Sequence, residues 1–254
     1  MMRIVHAGLS DRGRVRPQND DRWFADAPHG LYGIVDGIAA AFAGGLAAQI
    51  VAEALPLLVS QRLQGLTDLG APAARERLVT ALKDLSASIR AESHEQPGLD
   101  GMGAAVVLGV IHDDQALITH LGDARAYLLR GRRFQRLTRD HTLAQLLLDC
   151  GEITAAEVRR HPGRDQLTRC IGMKGEAVAE VRALRLVAGD HLLLCSDGLS
   201  SALDDRELAL LLHRCPTPQE ACRRLIDGAN ERGGDDNITA VVLAVGELPV
   251  IGHR

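Results

Sequence analysis

The stretch Leu31-Tyr32-Gly33-Ile34-Val35-Asp36-Gly37 constrains this chain more than any other. An apolar run of strand type ends in a carboxylate, and a glycine follows at once. Much later, Leu192-Leu193-Leu194-Cys195-Ser196-Asp197-Gly198 repeats the design. An acid at the end of a buried strand must be paired, protonated or bound to a metal, because an isolated buried charge is very costly. Two such strand ends point to a shared cation site.

The rest of the chain reads as one α+β domain in which helices cover antiparallel sheets. Strands are expected at 3–8, around Trp23-Phe24-Ala25, at Leu31–Asp36 as a hairpin partner across Pro28-His29-Gly30, and at Ile238–Val245. Apolar residues recur at helical spacing over Ala43–Leu63 and Ala73–Glu92. Ala104–Ile111, Ala116–Leu121, Ala124–Leu129 and Phe134–Leu137 read as an antiparallel meander, since no helix is available for a crossover. His141–Cys150 reads as helical, and Ala177–Leu186 and His191–Cys195 as strands. Thr154-Ala155-Ala156-Glu157 and Thr217-Pro218-Gln219-Glu220 carry the capping-box pattern, and Asp204/Asp205 start a further helix. No repeat or linker divides the chain.

Charge is nearly balanced, 29 Lys+Arg against 33 Asp+Glu, with no basic tract and only six aromatic residues, so a nucleic-acid partner is not expected. The apolar runs around Ala104–Ile111 and Ala240–Val245 fall short of the roughly 20 residues that span a bilayer, and the N-terminus lacks a signal-type apolar segment. No membrane association is expected. Five cysteines, odd in number and without a Cys-x-x-Cys pair, read as reduced, buried thiols in a cytoplasmic protein.

More acids share the placement of Asp36 and Asp197. Asp123 lies in a tight turn, Leu121-Gly122-Asp123-Ala124-Arg125, while Asp236 and the Asp20/Asp21 pair each precede a strand. Each alone is an ordinary turn residue. Brought together they need cations, and oxygen-only ligands favour Mg²⁺ or Mn²⁺. His141, beside Asp140 at a helix start, reads as a capping or packing residue. Ser196 has no obvious base, which argues against a serine nucleophile.

These residues resemble the metal-dependent serine/threonine protein phosphatases of type 2C, in their compact bacterial form. The resemblance rests on Gly13-Arg14-Val15-Arg16-Pro17-Gln18-Asn19-Asp20-Asp21, Val35-Asp36-Gly37, Gly101-Met102-Gly103, Gly122-Asp123-Ala124-Arg125-Ala126-Tyr127 followed by Leu137-Thr138-Arg139-Asp140-His141, Leu167-Thr168-Arg169-Cys170-Ile171-Gly172, Ser196-Asp197-Gly198-Leu199 and Asp235-Asp236-Asn237-Ile238-Thr239, in the family's order. It implies a four-layer αββα sandwich of two antiparallel sheets flanked by helices. It further implies a single domain over 1–246, with a flap over about 142–175 and a tail at 247–254. Two Mn²⁺ or Mg²⁺ ions would sit at one end, bridged by Asp36. The Gly37 carbonyl, Asp197 and Asp236 would contribute, with Asp20 or Asp21 serving directly or through water. Asp123 with Asp197 matches a third-metal site, and Arg16 would grip the phosphate. The implied reaction is direct attack by a bridging hydroxide, without a phosphoenzyme, on phosphoserine or phosphothreonine proteins. The implied setting is that of a cytoplasmic monomer opposing a serine/threonine kinase.

The chain departs from the pattern after Gly37. Ile38-Ala39-Ala40-Ala41 replaces the family's Met-Gly-Gly-His, and Ile38 cannot donate a proton. Ala104-Ala105 replaces a threonine pair. A catalytically impaired phosphatase fold acting as a binding module is therefore the second reading. Arg159, Arg160, Arg164 and Arg169 give the flap a positive character suited to phosphopeptides, or simply a solvated surface.

Overall fold

Alternation along the strands sorts side chains into three apolar layers, and those layers define the architecture. In the computed structural model, which describes residues 2–38, 43–95, 99 and 101–247, strand β3 (Leu31–Ile38) shows the rule. Leu31 and Val35 pack toward helices α1 (Ala43–Leu63) and α2 (Pro72–Glu95), whereas Tyr32 and Ile34 pack against the opposite sheet. The period of two in a strand makes this division automatic. Asp36 continues the inward series of Tyr32 and Ile34, so it enters the space between the sheets at their edge.

Each sheet has five strands, all antiparallel. The first runs β1 (Met2–Asp11), β10 (Ile238–Glu247), β9 (His191–Cys195), β6 (Arg125–Arg130), β7 (Arg133–Arg136). The second runs β2 (Asp21–Asp26), β3, β4 (Gly103–His112), β5 (Gln115–Leu121), β8 (Glu180–Arg185). Helices α1 and α2 cover the second sheet; α5 (Asp197–Ala202), α6 (Asp205–Arg214) and α7 (Pro218–Glu231) cover the first. The four-layer sandwich expected from the sequence is the observed fold.

The meander is a correction. β4 pairs with β5 and β6 with β7, but β5 and β6 lie in different sheets. The chain changes sheets at Gly122, whose φ of +103° favours glycine and whose absent Cβ leaves room for Ala105. Alternation within each strand is the same in a meander and in a crossover, so the sequence pattern did not separate them. β1 reaches Asp11, beyond the strand expected at 3–8, because its whole length pairs with β10. The expected Ala177–Leu186 strand shrinks to β8. Helix α5, unforeseen, begins directly at Asp197, so this acid heads a helix as well as ending a strand. Between β7 and β8 lie α3 (Leu143–Asp149) and the short α4 (Ala155–Val158), where Glu157 reaches the Thr154 N–H at 2.7 Å as the capping box requires. At α7 only half of the expected box forms: Thr217 accepts from the Glu220 N–H, while the Glu220 carboxylate takes Arg224 instead.

Helix α1 is long and apolar enough, by length and composition alone, to cross a membrane. Here Ala47, Ala48, Val51, Leu55 and Val59 form its buried face in the layer against the second sheet. Four of the five free cysteines are buried; Cys150 is exposed, contrary to expectation, just past the end of α3.

Candidate metal centre

The acids singled out in the sequence arrive at one end of the sandwich from separate elements. Asp21 opens β2 and pairs in register with Asp36 near the end of β3, which places both on the inward face. Asp123 occupies the crossing between the sheets, Asp197 begins α5 beyond β9, and Asp236 lies just before β10. Asp21 and Asp123 are buried, whereas Asp36, Asp197 and Asp236 keep part of their surface open to solvent.

Electrostatics tie the group together. Removal from water pushes the Asp36 carboxyl well above its ordinary range, and the charges of Asp21, Asp197, Asp123 and Asp236 push it further. Asp123 is raised by burial and then by Asp197. Burial and Asp236 raise Asp197, although a hydrogen bond with Asp36 partly offsets this. Burial raises Asp21 against the opposing hydrogen bonds of Thr239 and Ser196, and Thr239 Oγ1 donates to Asp21 Oδ2 at 2.6 Å. Carboxylates so arranged hold protons in the absence of a counter-charge and lose them to a bound cation.

One cation of the chain already faces this end. Arg16 Nη2 donates to Asp236 Oδ2 at 2.7 Å, a bond that raises the guanidinium pKa, and Asp197 and Asp36 add to the effect. Arg16 is half exposed, so its fork reaches outward from the acids. Asp20 behaves differently from Asp21. Its carboxylate accepts from Gln18 Nε2 at 2.8 Å and packs beside Gly45 of α1, at the margin of the group. Gly37 donates its N–H to the Asp20 carbonyl and presses on Gly44, where a Cβ would strike backbone. Ile38 is half-buried against the inter-sheet layer; Ala39–Ala41 lie outside the described residues.

The donor set fits divalent cations. It is all oxygen and strongly anionic, with Arg16 bonded to Asp236 and Arg125 acting on Asp123 and Asp197 through its charge. Among the described residues these acids form no three-ligand group with atoms within 4.8 Å of one another.

Sequence reasoning overlooked the supporting residues. Asn237 accepts the Asp20 N–H at 2.8 Å and donates to the Arg12 and Gln18 carbonyls, fastening the loop that carries Arg16. Thr239 and Ser196 hold Asp21, and Asp165 acts on Asp197 through its charge. Asn237 and Thr239 stand inside Asp235-Asp236-Asn237-Ile238-Thr239, so their motif was visible although their partners were not.

A second polar cluster does bring three ligand-type residues within 4.8 Å: His120, His141 and Glu180. Its geometry does not suit a metal. The imidazoles stack with centroids 4.5 Å apart and planes 15° apart, so their lone pairs lie in nearly parallel planes and do not converge. His141 Nδ1 accepts the Gly122 N–H, which leaves the proton on Nε2 facing Glu180.

Comparison with known proteins agrees with this geometry. The family model described as protein phosphatase 2C matches residues 10–227. The serine/threonine protein phosphatase PstP of Mycobacterium tuberculosis is 36% identical over 243 residues, 95% of this chain. This chain spans 45% of the length of PstP. The serine/threonine phosphatase stp of Listeria monocytogenes is 31% identical over 94% of this chain and 95% of its own length. A crystal structure of the PstP catalytic domain in complex with two manganese ions superposes with a TM-score of 0.82 at 32% identity, covering 97% of this chain and all of that one. The chain belongs to the protein phosphatase 2C family.

Proposed function

We infer that this chain is a metal-dependent phosphatase of phosphoserine and phosphothreonine proteins. The observation that carries the reading is the convergence of Asp21, Asp36, Asp123, Asp197 and Asp236 on one end of the sandwich, with Arg16 beside them. Asp36, Asp197 and Asp236 would hold two divalent cations together with the Gly37 carbonyl. Asp21, or Asp20 at the margin, would serve through water, and Asp123 with Asp197 would hold a third ion. Mn²⁺ is the natural first choice, given the manganese-bound PstP domain. When bound, such ions lower the pKa of a water and neutralise the phosphoryl oxygens during in-line displacement.

The chain's own groups do the remaining work. Arg16 exchanges Asp236 for the substrate phosphate, which its planar fork grips with two parallel hydrogen bonds. Thr239 and Ser196 keep Asp21 in place as an acceptor. Hydrolysis transfers the phosphoryl group to water and returns the serine or threonine alkoxide, which must gain a proton. Ile38 has none to give, so that proton comes from solvent at the open side of Asp36 and Asp197.

Phosphoproteins modified by a serine/threonine kinase are the proposed partners, with the chain acting as a cytoplasmic monomer. The departure at Ile38 favours one competing reading, a binding module with little turnover. Hydrolysis of a phosphothreonine peptide with Mn²⁺, compared with the Asp36→Asn variant, separates the two. Activity lost in the variant and in chelator supports the phosphatase; equal rates for both proteins overturn it.

A further inference from the structure

The Asp123 turn is gripped on both sides by two consecutive residues of a distant segment. Upstream, Gly122 exchanges two hydrogen bonds with His141: the His141 N–H donates to the Gly122 carbonyl at 2.9 Å, and the Gly122 N–H donates to His141 Nδ1 at 3.2 Å. Downstream, Arg125 places its fork on Asp140, with Nε at 3.0 Å from Oδ1 and Nη2 at 2.7 Å from Oδ2. The turn is confined from below as well, because Ala105, the register partner of Asp36, fills the space that a Gly122 Cβ would need. Arg125 in turn pairs in register with Cys195, two residues before Asp197.

The jaws are themselves held. His141 stacks on His120, whose Nε2 donates to the Arg139 carbonyl at 2.6 Å, one residue before Asp140. Asp140 also accepts from Arg136. A ring with a backbone N–H on one nitrogen and Glu180 on the other has no freedom to turn. Carboxylate ligands lose affinity when their turn can move, because a few tenths of an ångström at the metal decides the geometry.

We propose that Asp140-His141 is a positioning clamp for Asp123, and that it sets the affinity of the cation site that Asp123 shares with Asp197. The inference rests on Asp123 being a metal ligand, and its experiment reports on that separately. His141 touches neither metal nor substrate; it acts through Gly122.

The test is a Mn²⁺ titration followed by electron paramagnetic resonance, which counts free against bound ion without needing turnover. Asp123→Asn in the otherwise native protein first identifies the class of bound Mn²⁺ that depends on Asp123; if it removes none, the reading of Asp123 fails before His141 is considered. His141→Phe keeps the stacked ring but loses the acceptor, and should weaken that class by about 10- to 100-fold while leaving the others unchanged. His141→Asn puts an amide oxygen near the Nδ1 position and should restore affinity to within about threefold of native. In the Asp123→Asn background His141→Phe should have no further effect on Mn²⁺. Unchanged affinity in His141→Phe, uniform loss of every class, or an undiminished effect without Asp123 each overturns the clamp. Should His141→Phe fold poorly, Arg125→Lys loosens the other jaw, and the same class must weaken.

Discussion

Two polar clusters lie at the edges of this sandwich, and they differ in what they lack. His120, His141 and Glu180 satisfy one another and the backbone, with each ring nitrogen that the contacts define already facing a partner. Burial lowers the pKa of both imidazoles, pushing His141 down to about 4. The acid cluster has the opposite character: its members mainly repel, and Arg16 and a few hydroxyls are its chief compensation. Proximity alone would nominate the histidines as the metal site. The unbalanced charge nominates the aspartates instead, because a folded chain tolerates such a set only where a ligand completes it.

The largest effect that tests this contrast is Asp36→Asn, which should lower manganese-supported hydrolysis of a phosphopeptide by at least about 100-fold in steady-state kinetics. Retained activity would remove the acid cluster as the metal site of hydrolysis. Next, Arg16→Lys keeps the charge but not the fork, and should raise KM for phosphopeptide by about tenfold. If kcat alone falls, Arg16 does not bind the ground-state phosphate.

The contrast also predicts a pH dependence of stability without metal. Asp21, Asp36 and Asp123 have folded pKa values above their unfolded ones, so they favour the folded state at low pH, and that contribution is lost as pH rises through the folded values, about 7 for Asp21. His141 is shifted downward and works in the opposite direction, destabilising the fold only below its unfolded value near 6.5. Thermal unfolding of chelated protein should therefore show a falling Tm from pH 6.5 to 8, and saturating Mn²⁺ should abolish the slope. A rising Tm over that interval would remove the acids as its source.

The smallest effect belongs to the other cluster. Glu180 is half exposed, at 3.3 Å from His141 and 3.8 Å from Arg169. Glu180→Gln should change stability by about 0.5 kcal/mol or less in urea titration and leave Mn²⁺ binding unchanged. A lost metal equivalent would make the histidine cluster a metal site after all.

Much of this molecule was legible in particular residues. The apolar run ending at Asp36 specified a strand by its period, and the cost of burying its acid specified a ligand. The repetition at Asp197, the Asp123 turn and the Asp236 approach to β10 extended the argument, and the order of motifs gave the family. The helix start at Asp204/Asp205 was read from local chemistry; in the fold Asp204 caps α6, and Glu207 returns the bond at 3.0 Å. Local signals of this kind act over three or four residues, which is why sequence preserves them.

What the sequence did not contain was the partner of each group. The meander failed because a strand's alternation is blind to which sheet it joins, and only packing around Gly122 and Ala105 sends β6 across. Asp20 and Asp21 are adjacent and chemically identical, yet register with Asp36 sets Asp21 among the acids and leaves Asp20 against α1. His141 read as a residue for capping or packing, and Thr142 takes the cap of α3 while His141 grips a turn 19 residues away. Residue chemistry and strand period marked acids such as Asp36 and Asp197 as strand-end charges; tertiary structure decided which acids are buried and which charges meet, because electrostatics and hydrogen bonds depend on distances that the folded chain sets.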